Sequence, residues 1–379
     1  MEEKEIAYQI ASIKGLGSKS IFKLLEYTGN IKEVLSLSEI EVRNVLDVKT
    51  ANAFLHGREN INPNTTQQLE KEKGIKFVPF ITVDYPERLR NIPEPPFALY
   101  VKGTLPQENK PAVAIVGARE CSEYGKAVAS FFGRQLGTAG VQIISGMARG
   151  IDGIAQQGAV EVNGFSFAVL GCGADVCYPQ ENSGLYLKLQ ERGGIISEYS
   201  PGTKAQSKLF PARNRIISGL ADLILVVEAR KRSGTYITVM QALEQGKEVY
   251  AVPGRITDSL SDGCNYLLSQ GAGIAVNPYS IIEELSKRFV IAFEREEKKK
   301  PSKKEERKDR MNADEDEQAA EDVILSLLEV NPVALEELYS RVTSRGEMDM
   351  SRLMLILTKL QIKGMVVGEG NYYRIINAL

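Results

Sequence analysis

Val113-Ala114-Ile115-Val116-Gly117-Ala118-Arg119-Glu120-Cys121-Ser122-Glu123-Tyr124-Gly125 reads as a strand, a glycine-led loop and the opening of a helix. The strand is apolar on both faces, as a strand inside a covered sheet must be. The same unit recurs downstream. Gln142-Ile143-Ile144, Ser166 to Leu170, Ile195-Ile196-Ser197, Leu223 to Val227 and Glu248 to Val252 read as further strands. Helical segments at about 124–138, 153–162, 182–192 and 235–245 alternate with them. Such alternation predicts an α/β fold, a doubly wound parallel sheet.

The first loop also narrows the ligand. A dinucleotide fingerprint, G-x-G-x-x-G, needs its second glycine so that backbone approaches a pyrophosphate. Arg119 stands at that position and Ser122 at the third. An ordinary NAD site is excluded, and Arg119 can instead reach a phosphate itself or form a structural salt bridge. No G-x-x-x-x-G-K-[ST] loop is present, so no P-loop ATPase is implied.

Ligands of doubly wound sheets bind beyond the carboxyl ends of the strands. The loops there hold Gly117, Arg119 and Gly125, then Ser145-Gly146-Met147-Ala148-Arg149-Gly150-Ile151-Asp152, then Gly171-Cys172-Gly173. Later loops add Lys204, Lys208, Ser233-Gly234-Thr235 and Pro253-Gly254. Two readings stay open for several of these. Ser145 and Gly146 form a ligand contact or only a tight turn. Arg149 and Asp152 face a ligand or pair with each other. Arg230-Lys231-Arg232 is a basic patch or a solvated turn.

Phe210-Pro211-Ala212-Arg213-Asn214-Arg215-Ile216-Ile217-Ser218-Gly219-Leu220 places a ring, two guanidiniums and an amide at a helix start. Such a start is an anion site, and the ring offers a stacking surface or plugs the helix base. Arg213, Ile216, Ile217 and Leu220 share one helical face, which packs on the sheet and puts Arg213 over the strand ends. Arg215 points roughly 200° away. It meets an outer part of a long ligand, or an acidic neighbour. No nucleophile with a base partner accompanies these groups, so binding of a polyanion is the simpler chemistry.

Composition sets the outer limits. The 379 residues suffice for about two or three domains. The chain is 43% hydrophobic with a formal net charge of −2, so a packed core is expected and a generally basic coat is not. Its single histidine, His56, lies outside every loop above, which disfavours imidazole catalysis and His-ligated metal. The four cysteines lack paired C-x-x-C spacing, the N-terminus is acidic, and no apolar run approaches the roughly 20 residues of a membrane span. A cytoplasmic chain without membrane contact or cofactor is expected.

Residues 1–66 read as a small helical domain, in which Gly15-Leu16-Gly17 with Lys19 serves a DNA phosphate or simply turns the chain. Residues 67–290 hold the sheet, and 75–101 read as a proline-rich connection within it. Residues 291–318 are a charged linker, and 319–379 show three helices and a hairpin in winged-helix order.

Several motifs resemble the DNA-processing protein A (DprA/Smf) family over roughly residues 80–280. They are Gly117-Ala118-Arg119 with Tyr124-Gly125, the Ser145 to Asp152 run, the Phe210 to Leu220 run, Arg232-Ser233-Gly234-Thr235, and Val252-Pro253-Gly254 with Gly263-Cys264-Asn265. The resemblance implies an extended Rossmann-like domain that binds single-stranded DNA, a homodimer, and delivery of DNA to the recombinase RecA during natural transformation. It implies a pocket on Arg119, Ser145, Gly146, Phe210 and Arg213, with nearby lysines. Asn214, Arg215, Lys204 and Lys208 complete the candidate DNA contacts, and Gly117, Gly125, Ser233, Gly234 and Thr235 the candidate phosphate loops.

Two other classes remain. The sheet is also similar to lysine-decarboxylase-like nucleotide phosphoribohydrolases, but Thr238 stands where their catalytic glutamate belongs. An adaptor whose termini bind proteins and whose pocket is vestigial is the third reading. The third C-terminal helix carries only Arg352, Lys359 and Lys363 as cations, so partner binding there is as natural as groove reading.

Overall fold

The computed structural model describes residues 2–60, 65–291, 312–328, 331–343, 349–363 and 365–376. Two compact units emerge, Met1–Ala292 and Phe293–Leu379.

The first unit is built on strands β1 (Ile75–Pro79), β2 (Ala98–Gly103), β3 (Ala112–Val116), β4 (Gln142–Ser145), β5 (Ser166–Val169), β6 (Gly193–Ser197), β7 (Leu223–Val226), β8 (Glu248–Ala251) and β9 (Gly273–Ile274). They form one sheet in the order β1-β2-β6-β5-β4-β3-β7-β8-β9. From β6 to β9 every pairing is parallel, with Val113 opposite Leu223 and Ser145 opposite Ala168. The chain runs outward from β3 to β6, then returns to lay β7 on the other side of β3. That reversal creates the switch point where α/β sheets bind ligands.

Helices α7 (Glu87–Arg90), α8 (Glu123–Thr138), α9 (Ile151–Glu161), α10 (Ser183–Glu191), α11 (Leu209–Leu220), α12 (Gly234–Glu244), α13 (Asp262–Ser269) and α14 (Pro278–Ser286) follow the strands. They cover the fully buried Ile115, Ile144, Ile196 and Ile224 of the sheet. The backbones of α8 and α9 approach so closely that a Cβ on Gly133 would stand 2.2 Å from the Ala155 carbonyl oxygen.

The expected connection at 75–101 is structured. Its ends form β1 and β2, paired antiparallel with Phe77 opposite Tyr100, and β2 adds antiparallel to β6. Within these two strands the one proline is Pro79, at the end of β1, where its missing donor costs the ladder little.

Helices α1 (Glu3–Ala11), α2 (Ser18–Thr28), α3 (Ile31–Val34), α4 (Glu39–Val45), α5 (Val48–Glu59) and α6 (Thr66–Lys73) form the N-terminal part. The boundary expected after residue 66 does not mark a break in packing. Ile6, Ile10, Leu24 and Phe54 share one core cluster with Phe77, Tyr100 and Ile195. Tyr8 packs edge-on to Phe77 at 5.1 Å, and Glu5 accepts the Thr66 amide at 3.1 Å. The Gly15-Leu16-Gly17 turn docks on the sheet as well: the Phe97 amide donates to Ser18 Oγ at 3.0 Å.

The second unit contains α15 (Asn312–Leu328), β10 (Val333–Ala334), α16 (Leu335–Thr343), α17 (Met350–Ile362), β11 (Val366–Glu369) and β12 (Tyr372–Ile375). The three expected helices and hairpin are present, and β10 completes a sheet in the order β10-β12-β11. Ile324, Leu338, Leu353 and Leu360 form its core. Most of the expected charged linker, 292–311, lies outside the described residues, and α15 already begins at Asn312.

Candidate nucleic-acid interface

The loops after β3 and β7 and the start of α11 enclose a cleft of about 550 Å³ at the switch point. Gly117, Arg119, Phe210, Arg213, Asn214, Ser233, Gly234 and Thr235 all line it. Eight of the fourteen site residues expected from the sequence therefore meet in one cavity.

Arg119 is exposed on a loop that is tightly held. The Ala118 amide donates to the Glu228 carbonyl at 2.7 Å, and the Ser122 amide donates to the Glu228 carboxylate at 2.9 Å. Ser122 Oγ bonds the same carboxylate and also caps α8 through the Gly125 amide at 3.0 Å. Gly150, at φ 72°, lies so close that a Cβ would stand 2.3 Å from the Ala118 carbonyl oxygen. This frame aims the side chain without neutralising it. Among the described residues no carboxylate pairs with Arg119; its guanidinium instead lies 5.4 Å from the Phe210 ring centroid.

Phe210 is half-buried at the start of α11. One edge plugs against Gly171, where a Cβ would stand 2.8 Å from Phe210 Cδ1. Tyr178 stacks on the ring at 5.5 Å and 27°, and the Arg213 guanidinium lies 6.0 Å from its centroid. The ring plugs the base of the helix and stacks with Tyr178. Tyr178, which the sequence reading did not single out, is 45% exposed and continues the stack outward into the cleft. The signal available was an aromatic held before a proline in Cys177-Tyr178-Pro179, on the loop after β5.

Arg213 reaches over the strand ends as its helical phase requires. It is 4% exposed, donates to the carbonyl of Gly146 at 3.0 Å, and also donates to the carbonyl of Val169. Burial lowers its pKa to about 10, an effect that the nearby Asp152 opposes, so it stays cationic near neutral pH. Burial likewise raises the Asp152 pKa, against the pull of Arg213. Asp152 is thus the electrostatic partner of Arg213. Arg149 pairs with Glu181 instead, with its Nε 2.7 Å from the carboxylate.

Ser145 and Gly146 shape the site from beneath. Ser145 is fully buried, and its hydroxyl donates to the Ile115 carbonyl at 2.6 Å. The Gly146 amide donates to Asp152 at 3.1 Å. Gly146 lines a smaller cavity of about 60 Å³ beside Arg119, Phe210 and Arg213, whereas Ser145 lines neither space. Gly125 also sits below the cleft, where a Cβ would stand 2.2 Å from the Glu228 carboxylate.

Arg215 faces away. Two of its nitrogens donate to Glu198 at 2.8 and 2.7 Å, and its Nε donates to the Glu94 carbonyl at 2.8 Å. The acidic neighbour is its observed partner, and the side chain does not line the cleft. Lys204 and Lys208 are exposed on the segment leading into α11, with no carboxylate partner among the described residues. Arg230 lines the cleft at its rim, while Lys231 and Arg232 are exposed.

The described residues contain no cluster of His, Cys, Asp and Glu able to hold a metal ion. None of the helices searched among them is long and apolar enough to cross a membrane.

Residues 76–286 match the family model of DNA recombination-mediator protein A. The chain is 37% identical over 281 residues to the DNA processing protein DprA of Streptococcus pneumoniae, covering 73% of this chain and 97% of that protein. It is 43% identical over 210 residues to Protein Smf of Escherichia coli, covering 55% and 56%. The X-ray structure of the S. pneumoniae DprA superposes with a TM-score of 0.66 at 33% identity, covering 75% of this chain and 98% of that one. DNA processing protein A of Helicobacter pylori, whose structure describes a single-stranded DNA binding mode, superposes at 0.51 with 28% identity, covering 56% and 97%. The chain belongs to the DNA recombination-mediator protein A family.

Proposed function

We propose that this protein binds single-stranded DNA in the switch-point cleft and delivers it to a RecA-type recombinase, acting without chemistry of its own. One observation carries the binding: the paired rings of Tyr178 and Phe210 stand beside the unneutralised guanidinium of Arg119. Unstacked bases need a ring platform, and a backbone needs cations along its path. Duplex DNA offers no free base face to such a platform. Lys204 and Lys208 extend the cationic path along the approach to α11. Arg213 contributes its field from below, Ser145, Gly146 and Gly125 hold the floor, and Arg215 anchors the outer side of the helix.

The likeness to DprA proteins supports the recombinase and homodimer parts of this reading. Exposed Ile237, Met240 and Leu243 recur at helical spacing on α12 and supply apolar surface for self-association. A cytoplasmic site of action belongs to the same reading.

The test is salt-titrated binding of oligo-dT and of duplex by the full chain. Phe210→Ala and Tyr178→Ala should each cost about 1–3 kcal/mol in oligo-dT affinity. Their double variant should lose less than the sum, because the rings form one platform. Arg119→Ala should also reduce the slope of log affinity against log salt by roughly 0.7. Equal affinity for duplex and single strand, together with indifference to these variants, would refute the reading. Release of free base from nucleoside monophosphates would instead favour a nucleotide-processing enzyme.

A further inference from the structure

We propose that Glu181 holds Arg149 in reserve beside the aromatic platform, and that a DNA phosphate displaces the carboxylate and takes over the guanidinium. The proposal rests on the single-strand reading of the cleft and adds to it a backbone contact that opens by exchange of partners.

Arg149 lies on the turn between β4 and α9, and Glu181 on the loop after β5 that also carries Tyr178. Arg149 lines the cavity of about 60 Å³ together with Arg119, Tyr178, Phe210 and Arg213. Glu181, then Tyr178 and Glu120, bear on it electrostatically. The guanidinium therefore opens onto the same small space as the two rings. A base stacked on those rings brings its own phosphate within a nucleotide's length of Arg149.

The two backbones are held while the two side chains are not enclosed. The Ile151 amide donates to the Ala118 carbonyl at 3.2 Å. Asn182 Nδ2 donates to the carbonyls of Met147 at 3.0 Å and Ala148 at 3.2 Å. These bonds tie the Arg149 turn to the Arg119 loop on one side and to the Glu181 loop on the other. The side chains of Arg149 and Glu181 are 62% and 61% exposed. Arg149 Nε and Nη2 donate to the two carboxylate oxygens at 2.7 and 2.5 Å. A phosphate offers the same pair of acceptors, so the guanidinium can change partner and keep its form of bonding.

Exposure makes the exchange easy. Water screens both charges of an exposed pair, so the pair itself contributes little net stability. The neighbouring arginines differ. Arg213 is buried, with donors committed to the carbonyls of Gly146 and Val169. Arg215 pairs with Glu198 where the side chains are only 12% and 10% exposed, and opening that pair would strand a charge away from water. Arg149 is the arginine whose partner can leave. A strand already held by the rings and by Arg119 presents its next phosphate at high effective concentration, which favours it over the carboxylate.

The full chain carrying Glu181→Gln, Arg149→Ala, Arg149→Lys, or Glu181→Gln with Arg149→Ala is titrated with oligo-dT at several salt concentrations, with urea midpoints to check the fold. Glu181→Gln is expected to bind about two- to fivefold more tightly, because the competing carboxylate is gone. Arg149→Ala is expected to weaken binding and to lower the slope of log affinity against log salt by roughly 0.7, whereas Arg149→Lys keeps the slope. The gain from Glu181→Gln should vanish in the Arg149→Ala background. An equal gain in that background would make Glu181 a plain repulsive charge and overturn the proposal. Weaker binding by Glu181→Gln would make the pair a fixed strut, and an unchanged slope in Arg149→Ala would place the guanidinium off the strand. Either result also overturns the proposal, and a loss of affinity in Phe210→Ala then leaves the DNA reading standing. Failure of the unmodified chain to bind oligo-dT would refute that reading and the proposal with it.

Discussion

Gly146 shows how little slack the floor of the cleft has. A Cβ there would stand 2.6 Å from Arg213 Nη2 and 2.7 Å from the Asp152 carboxylate. Both groups are buried and hydrogen-bonded, so neither can swing away freely. Gly146→Ala should therefore lower unfolding stability by about 1–3 kcal/mol and weaken oligo-dT binding with it. A urea midpoint equal to that of the unmodified chain would show that the pair moves aside at no cost. Helical phase already separated Arg213 from Arg215 in the sequence, because two residues correspond to roughly 200° of rotation. It did not reveal what each would meet. Glu198 lies 17 residues before Arg215, and their pairing depends on how β6 enters the sheet. Tyr178 went unrecognised for the same reason: its ring matters only because the β5 loop folds back onto Phe210.

At the scale of elements, helix ends are where local chemistry speaks most clearly. Asp47 caps α5, and a hydrogen bond from the Thr50 hydroxyl, then one from the Thr50 amide, lowers its pKa. Glu41 completes the capping box of α4 and is lowered by the Ser38 hydroxyl and then the Ser38 amide. A carboxylate lowered on folding stabilises the fold above its unfolded pKa, and that contribution is lost as pH falls through the folded value. Amide protection in α4 and α5 should thus decline below about pH 4. Asp47→Asn should retain the α5 cap and remove its share of this acid sensitivity. Protection in α5 that declines equally in both proteins would refute the assignment. The central parallel strands were legible because strands buried on both faces are continuous apolar runs. The antiparallel β1 and β2 were not. Prolines fill the segment between them, and β2 takes its place in the sheet by antiparallel pairing with β1 and with the remote β6.

The whole of residues 1–292 behaves as one packed object. Helices α1 to α6 cover a face of β1 and β2 that carries Phe77 and Tyr100, both almost fully buried. Removing residues 1–74 would expose these rings and the cluster around them. A 1–292 fragment is expected to unfold in a single urea transition and to bind oligo-dT, whereas 75–292 is expected to aggregate or to lose most of its stability. Size-exclusion chromatography with urea melts distinguishes the two. A monodisperse 75–292 of equal midpoint would show that the N-terminal helices are an appendage.

By itself the sequence determined the succession of the parallel strands along the chain, the loops at their carboxyl ends, and the presence there of a ring, arginines and a serine-glycine-threonine loop. These follow from periodicity and residue type, which act within a few residues along the chain. Only the tertiary structure decided which cation stays free, which aromatic joins Phe210, and that the N-terminal helices belong to the sheet. Arg119 and Arg215 carry the same group, yet one keeps its charge open and the other is closed by Glu198. Ion pairing, ring stacking and shared burial depend on through-space distances between remote segments, and the winding of the sheet sets those distances.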